Sequence, residues 1–208
     1  MSDLLAGATT EYLGLDDYVS DFYRASAELD RPIWKSERAQ VFREPGNPSW
    51  EAFVEGRWAD AVELAGAGFT ELETYFTELD GRGCPFHRVR VVEIPPTPYL
   101  RWALHVVRNR ARAGERVRVI TSQSIAQIES GLGRLPELVL LGSKAGYVVD
   151  YSEDGTARGA YRFTDGAAIE RCTRVLSDLY VQGEDIEQFF HREIASSEPP
   201  ADRLRWNA

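Results

Sequence analysis

Lysine is nearly missing from this 208-residue chain: Lys35 and Lys144 stand against 22 arginines. GC-rich coding accounts for the choice of arginine, so the type of basic residue carries little information, whereas its placement does. Cysteine is as scarce. Cys84 and Cys172 are too few for a disulfide framework, and both are expected as free thiols. No stretch approaches the roughly 18 uninterrupted apolar residues of a membrane span, so none is expected. The opening MSDLLAGATTEYLGLDD is acidic and lacks a basic segment followed by an apolar one. It does not read as a signal peptide, and a cytoplasmic location is the default expectation. Neither GxGxxG nor GxxxxGK[ST] occurs, which removes both standard backbone cradles for nucleotide phosphates. No GxSxG elbow is present. Cys84 and His87 have the spacing of two metal ligands, but no second pair follows, and a structural zinc takes four. Neither a metal nor a cofactor is expected.

What is present is an ordinary globular composition, 43% apolar and 27% charged, with a net charge of −9 and a pI near 5.0. That balance disfavours direct nucleic-acid binding, which normally needs a positive face. The charge is unevenly spread. Residues 1–80 hold six basic and seventeen acidic side chains, and residues 121–208 hold nine and fourteen. Between them, residues 81–120 carry nine arginines against Glu93 and Glu115 alone. Such a block either pairs with the acidic flanks or holds an anionic ligand.

The expected fold is α/β, a mixed sheet of about five strands with a βαβ core. Arg88–Glu93 and Arg116–Thr121 both alternate arginine with valine, the period of a strand. Residues 98–113 between them read as a helix, with Pro98 in the first turn and Gly114 at the C-terminal cap. The two strands should therefore lie parallel, with Leu100, Leu104 and Val107 packing the helix on the sheet. Residues 1–83 read as an acidic helical segment, in which 33–42 fits helix or strand, and residues 84–195 as the α/β domain. Within the latter, 137–141 and 146–151 are further strands. Asp154-Gly155 marks a hairpin returning along 157–163, and a long helix opens at Thr164 or Asp165. Residues 196–208 read as a flexible tail.

On the 98–113 helix, Arg101, His105, Arg108 and Arg112 fall on one stripe between two largely apolar faces. Three explanations stand: carboxylates of the acidic N-terminal helices cover the stripe, it lines an open cleft for a carboxylate, phosphate or acidic partner, or it is simply exposed to solvent. Glu93 and Tyr99 lie at the C-terminal end of a parallel strand, where open α/β sheets place their ligands. Arg90 lies beside them.

WKSERAQVFREPGNPSWEAFVEGRWADAV, RVRVVEIPPTPYLRWALHVVRNRARAGERVRVI and YVVDYSEDGTARGAYRFTD together resemble an actinobacterial family defined only as a domain of unknown function. The resemblance spans residues 20 to 195 or so. Members are often encoded beside helix-turn-helix regulators, which implies a regulatory context and such a regulator as partner. From Gly114 onward the chain also resembles the catalytically dead phospholipase-D-like domains of some bacterial regulators. An active member needs His-x-Lys, and neither lysine here follows a histidine at that spacing.

These observations point to a non-enzymatic binding or regulatory module. Its ligand would be an anionic small molecule or an acidic protein, held by Arg90, Glu93, Tyr99, Arg101, His105, Arg108 and Arg112. The alternative is an enzyme of specialised metabolism acting on a small or carrier-bound anionic substrate. That reading needs Glu93, Tyr99 and His105 to converge on one pocket as acid or base. A docking protein would instead expose an apolar patch around Trp34, Trp50, Trp58 or Phe189 and Phe190.

Overall fold

The structure is a computed structural model describing residues 3–196. One sheet of eight strands organises it: β1 (Glu11–Gly14), β2 (Ile33–Glu37), β3 (Phe86–Val92), β4 (Arg116–Thr121), β5 (Leu138–Leu141), β6 (Ala145–Tyr151), β7 (Ala157–Phe163) and β8 (Glu184–Asp185). Their order across the sheet is β1-β7-β6-β5-β2-β3-β4-β8. β2, β3 and β4 are parallel neighbours, and every other pairing is antiparallel.

The expected βαβ unit is present. β3 and β4 pair in parallel, joined by α5 (Pro98–Arg112), with Leu100, Leu104 and Val107 buried against the sheet. Its start is set locally: Thr97 accepts a hydrogen bond from the Leu100 amide at 3.1 Å, and Pro98 occupies the first turn, where no amide is needed. Gly114, at φ +119, lets the chain leave the helix for β4. The β6–β7 hairpin forms around Asp154-Gly155, and Asp165 caps α7 (Gly166–Gln182) by accepting from the Ala168 amide at 2.7 Å.

The strand count differs from the expectation. The sheet has eight strands rather than about five, because two come from the segment read as helical and one two-residue strand follows α7. Residues 33–37 form β2, which pairs with β3 on one side and β5 on the other, so chain from both sides of residue 83 shares one sheet. Five residues flanked by Pro32 and a loop are too few for periodicity to separate helix from strand; the tertiary pairing decides. Gly14 occupies the N-cap of α1 (Leu15–Ala27), with Asp16 and Asp17 in its first turn. The tail read over 196–208 lies, from residue 197 onward, outside the described residues.

The remaining helices are α2 (Pro48–Val54), α3 (Trp58–Leu64), α4 (Phe69–Gly81), α6 (Ser122–Leu132) and α8 (Ile186–Glu193). α6 and α7 cover one face of the sheet through Ile125, Ile169, Cys172, Leu176 and Leu179, meeting Val89, Val91 and Ile120. The other face carries α2, α3, α5 and α8 over β3 and β4, and α1 and α4 toward β5, β6 and β7. Between α1 and α5 the centre of the sheet is left without a helix over it.

Candidate functional site

The gap between α1 and α5 is a cleft of about 940 Å³. One face of each helix forms a wall: Leu15, Tyr18, Val19, Phe22, Tyr23 and Ser26 on α1, and Tyr99, Trp102, Ala103, Val106, Val107 and Arg110 on α5. Both sets advance by three and four residues, the spacing of a single helix face. The floor is the reverse of a usual sheet interior. Strand alternation turns Lys35 and Glu37 of β2 and Arg88 and Arg90 of β3 toward the cleft, while Trp34, Val89 and Val91 face α7. In register, Lys35 lies beside Arg88 and Glu37 beside Arg90.

These charges form a chain of alternating sign. Glu37 is reached by Lys35 at 2.8 Å, Arg88 at 2.7 Å and Arg90 at 3.8 Å. Arg88 also bonds Glu115 at 2.5 Å, and Glu115 takes Arg110 at 2.5 Å on its other side. Burial pushes the Glu37 carboxyl up, but Arg88, Lys35 and Arg90 together pull it well below the usual carboxylate range. The same contest at Glu115, between burial and the Arg88 and Arg110 guanidiniums, also ends below the ordinary value. Both acids are therefore ionised at neutral pH. Four cations then face two carboxylates; Glu44 at the rim and Glu137, which interacts with Arg90, bring the acids to the same number, and Arg43 at the rim is held by Asp154 at 2.6 Å.

The cations differ in reach. Arg88 and Arg90 show 6% and 1% of their side chains to solvent. Arg90 spends its donors on the carbonyls of Glu37, Val91 and Ala39. Lys35 is 29% exposed, so its ammonium is the positive group of the floor that a ligand can touch. The buried arginines act behind it as a fixed field, strong because the surroundings are poorly hydrated.

Aromatic rings close the ends. Phe42 lies 6.0 Å from Tyr99 and 4.6 Å from Tyr151, with the Arg90 guanidinium 5.9 Å from its centre. The Tyr99 hydroxyl donates to Glu44 at 2.7 Å; burial first, and then this neighbouring carboxylate, hold that phenol far above its ordinary value. Burial likewise pushes Tyr18 up to about 12 and raises Tyr151 and Tyr75. These rings stay neutral and can donate.

Of the residues expected to form a site, Arg90 and Tyr99 belong to the cleft. The others are elsewhere. Glu93 is exposed beyond β3 and pairs with Arg38 at 3.2 Å. Arg108 and Arg112 both bind Glu187 of α8, each at 2.7 Å, and Arg108 lies over the Phe190 ring at 4.2 Å. The arginine stripe is thus covered, though by the C-terminal helix rather than by the acidic N-terminal helices. His105 packs against Trp58 and Phe190 at 5.6 and 4.8 Å; burial, with Arg108 nearby, lowers its affinity for a proton. Arg101 is half-buried on α5 and does not line the cleft. Glu93, Tyr99 and His105 therefore do not converge. Trp34, Trp50, Phe189 and Phe190 are buried, so they form no exposed docking patch.

Lys35, Glu37, Arg88, Arg110 and Glu115 were missed as site residues. Once 33–37 is recognised as a strand, its period of two puts Lys35 and Glu37 on one face, and the rarity of lysine marks Lys35. Nothing in the sequence shows that this face meets the one bearing Arg88.

Fold and cleft together define an open-sheet α/β protein with a cationic, aromatic-walled cleft over its central strands. Residues 20–191 match the model of the family described as "Domain of unknown function (DUF6879)", and the chain belongs to that family. No curated protein matches it. Among the described residues there is no group of three His, Cys, Asp or Glu side chains able to hold a metal, and no helix long and apolar enough to cross a membrane. Both cysteines are buried free thiols.

Proposed function

We propose that the protein is a non-enzymatic binding module whose ligand is an organic anion seated in the α1–α5 cleft. The observation that carries this reading is the Lys35 ammonium, partly exposed on a floor of cations beneath aromatic walls. Buried charges are normally balanced within the protein; the buried arginines here are paired, which leaves the partly exposed Lys35 as the floor's contact for an incoming anion. A cleft of this size, mostly apolar with a few convergent polar groups, matches the ordinary dimensions of small-molecule sites. The positions of Glu93, Tyr99 and His105 favour binding over acid–base chemistry. We attach to this binding a regulatory role in the cytoplasm, exercised on a helix-turn-helix regulator, supported by the sequence resemblance described above.

The test pairs thermal shift with one substitution. Aromatic carboxylates should raise the melting temperature, while their uncharged amides should not. Lys35→Met keeps the aliphatic stem, removes the ammonium, and should abolish the shift while leaving the fold intact. Equal stabilisation by carboxylate and amide, or a Lys35→Met protein that responds like the parent, would sink the proposal.

A further inference from the structure

The cleft has a direction, and its groups are ordered along it. Tyr99 and Trp102 at the start of α5 stand at the Phe42 and Tyr151 end, while Arg110 near the other end of α5 stands with Tyr75, Phe76 and Phe86. From residue 99 to residue 110 the helix rises roughly 16 Å at 1.5 Å per residue, which sets the length of the trough. Lys35 lies between the two ends, with Arg43 beside Phe42 and Arg110 toward the other end. Lys35 is in register with Arg88, two residues past Phe86 on β3 and two short of Arg90, so one strand step of about 7 Å leads to the Phe86 ring and the other to Arg90, whose guanidinium lies 5.9 Å from the centre of Phe42. One end holds Phe42, Tyr99 and Tyr151, and the other holds Tyr75 and Phe86, with Tyr23 on the facing helix.

Polar groups without a protein partner occur in both halves. The hydroxyls of Tyr18, Tyr75 and Tyr151 make no hydrogen bond with the described residues. The Ser26 Oγ, on the α1 wall, is buried with no hydrogen-bond partner among the described residues. A ligand with a terminal acid group would use the middle and one end only, leaving the other aromatic lobe and its hydroxyls empty.

Resting on the anion-binding reading above, we infer that the ligand carries a single negative charge in its middle, with an apolar or aromatic arm on each side. The charge sits at Lys35 and the arms fill the lobes around Tyr151 and Tyr75. A single charge fits the floor, whose one ammonium is Lys35, while Arg43 and Arg110 toward the ends are already held by Asp154 and Glu115. N-acylated amino acids and phosphodiesters with two aromatic substituents both have this form.

Calorimetric titration with small probes separates the cases. N-benzoyl-phenylalanine and diphenyl phosphate each carry two arms. N-benzoylglycine, N-acetyl-phenylalanine and methyl phenyl phosphate carry the same charge with one. The expected result is that at least one two-armed probe binds about tenfold or more tighter than its one-armed relatives. Tyr75→Ala and Tyr151→Ala should each bring it down to their level, and the better of the two acids identifies the head group. One- and two-armed probes binding equally, with binding still lost in Lys35→Met, would overturn this inference and leave the binding module standing. No binding by any probe, or binding indifferent to Lys35→Met, would overturn both. Melting curves of the alanine variants confirm that they are folded, and the comparison within the unaltered protein holds even where one is not.

Discussion

Replacing Glu115 with glutamine keeps the shape of the side chain and removes one charge from the row beneath the cleft. The Glu115 side chain is fully buried, with Arg88 and Arg110 each at 2.5 Å. Breaking a buried ion pair by neutralising one partner typically costs 3–5 kcal/mol, because the remaining charge stays desolvated. Here the cost is moderated. Arg88 keeps Glu37 at 2.7 Å, and Arg110, with 24% of its side chain exposed, can turn to water. The expected loss is therefore about 3 kcal/mol, at the lower end of that range. In a chain of this size that lowers the melting midpoint by roughly 6–12 °C. Urea unfolding followed by tryptophan fluorescence at pH 7 measures the free energy directly. The same pair sets an acid limit. Folded Glu115 and Glu37 hold protons less readily than in the unfolded chain, so their share of stability is full above pH 4.5 and is lost as pH falls through their lower folded values. In Glu115→Gln this acid-side slope should shrink. A loss below about 1 kcal/mol with the slope unchanged would show that the buried row is not held together as described.

Two further outcomes follow from groups outside the cleft. Arg108→Ala should cost only about 1–2 kcal/mol, since Glu187 is partly exposed and keeps Arg112, and the lost contacts are one screened ion pair and a guanidinium over Phe190. Calorimetric binding of anions in the cleft should be unchanged; a weakened ligand would return the arginine stripe to the site. His87 stacks on Trp34 at 4.4 Å with its Nδ1 buried and unpartnered, and burial, reinforced by Arg116, lowers its pKa to about 4. Unfolding releases a histidine that protonates near 6.5, so its contribution is full above that pH and is lost between 6.5 and 4. His87→Phe should flatten the stability profile in that window, and an unchanged profile measured by denaturant titration would refute the assignment.

The sequence by itself determined the elements whose signals are local. Arg88–Val91 and Arg116–Val119 alternate arginine with valine, and the chain between them has a capping threonine, a first-turn proline and a closing glycine. Each of these acts within a few residues, so the βαβ unit, the hairpin at Asp154-Gly155 and the helix after Asp165 could be read directly. β2 could not, because five residues carry too little period; its place between β3 and β5 comes from hydrogen bonds to strands 50 and 100 residues away. The arginines mark the same boundary. Their clustering on one stretch was plain, and so was their need for acids or an anion. Which acids was a question of distance in space: Glu115 lies 27 residues from Arg88, and Glu187 lies 75 and 79 from Arg112 and Arg108. Only the tertiary structure could neutralise Arg108 and Arg112 on the outer side of α5 while placing Lys35, Arg88 and Arg90 on the floor of the α1–α5 cleft. Electrostatic pairing depends on through-space separation and burial, and neither is set by position along the chain.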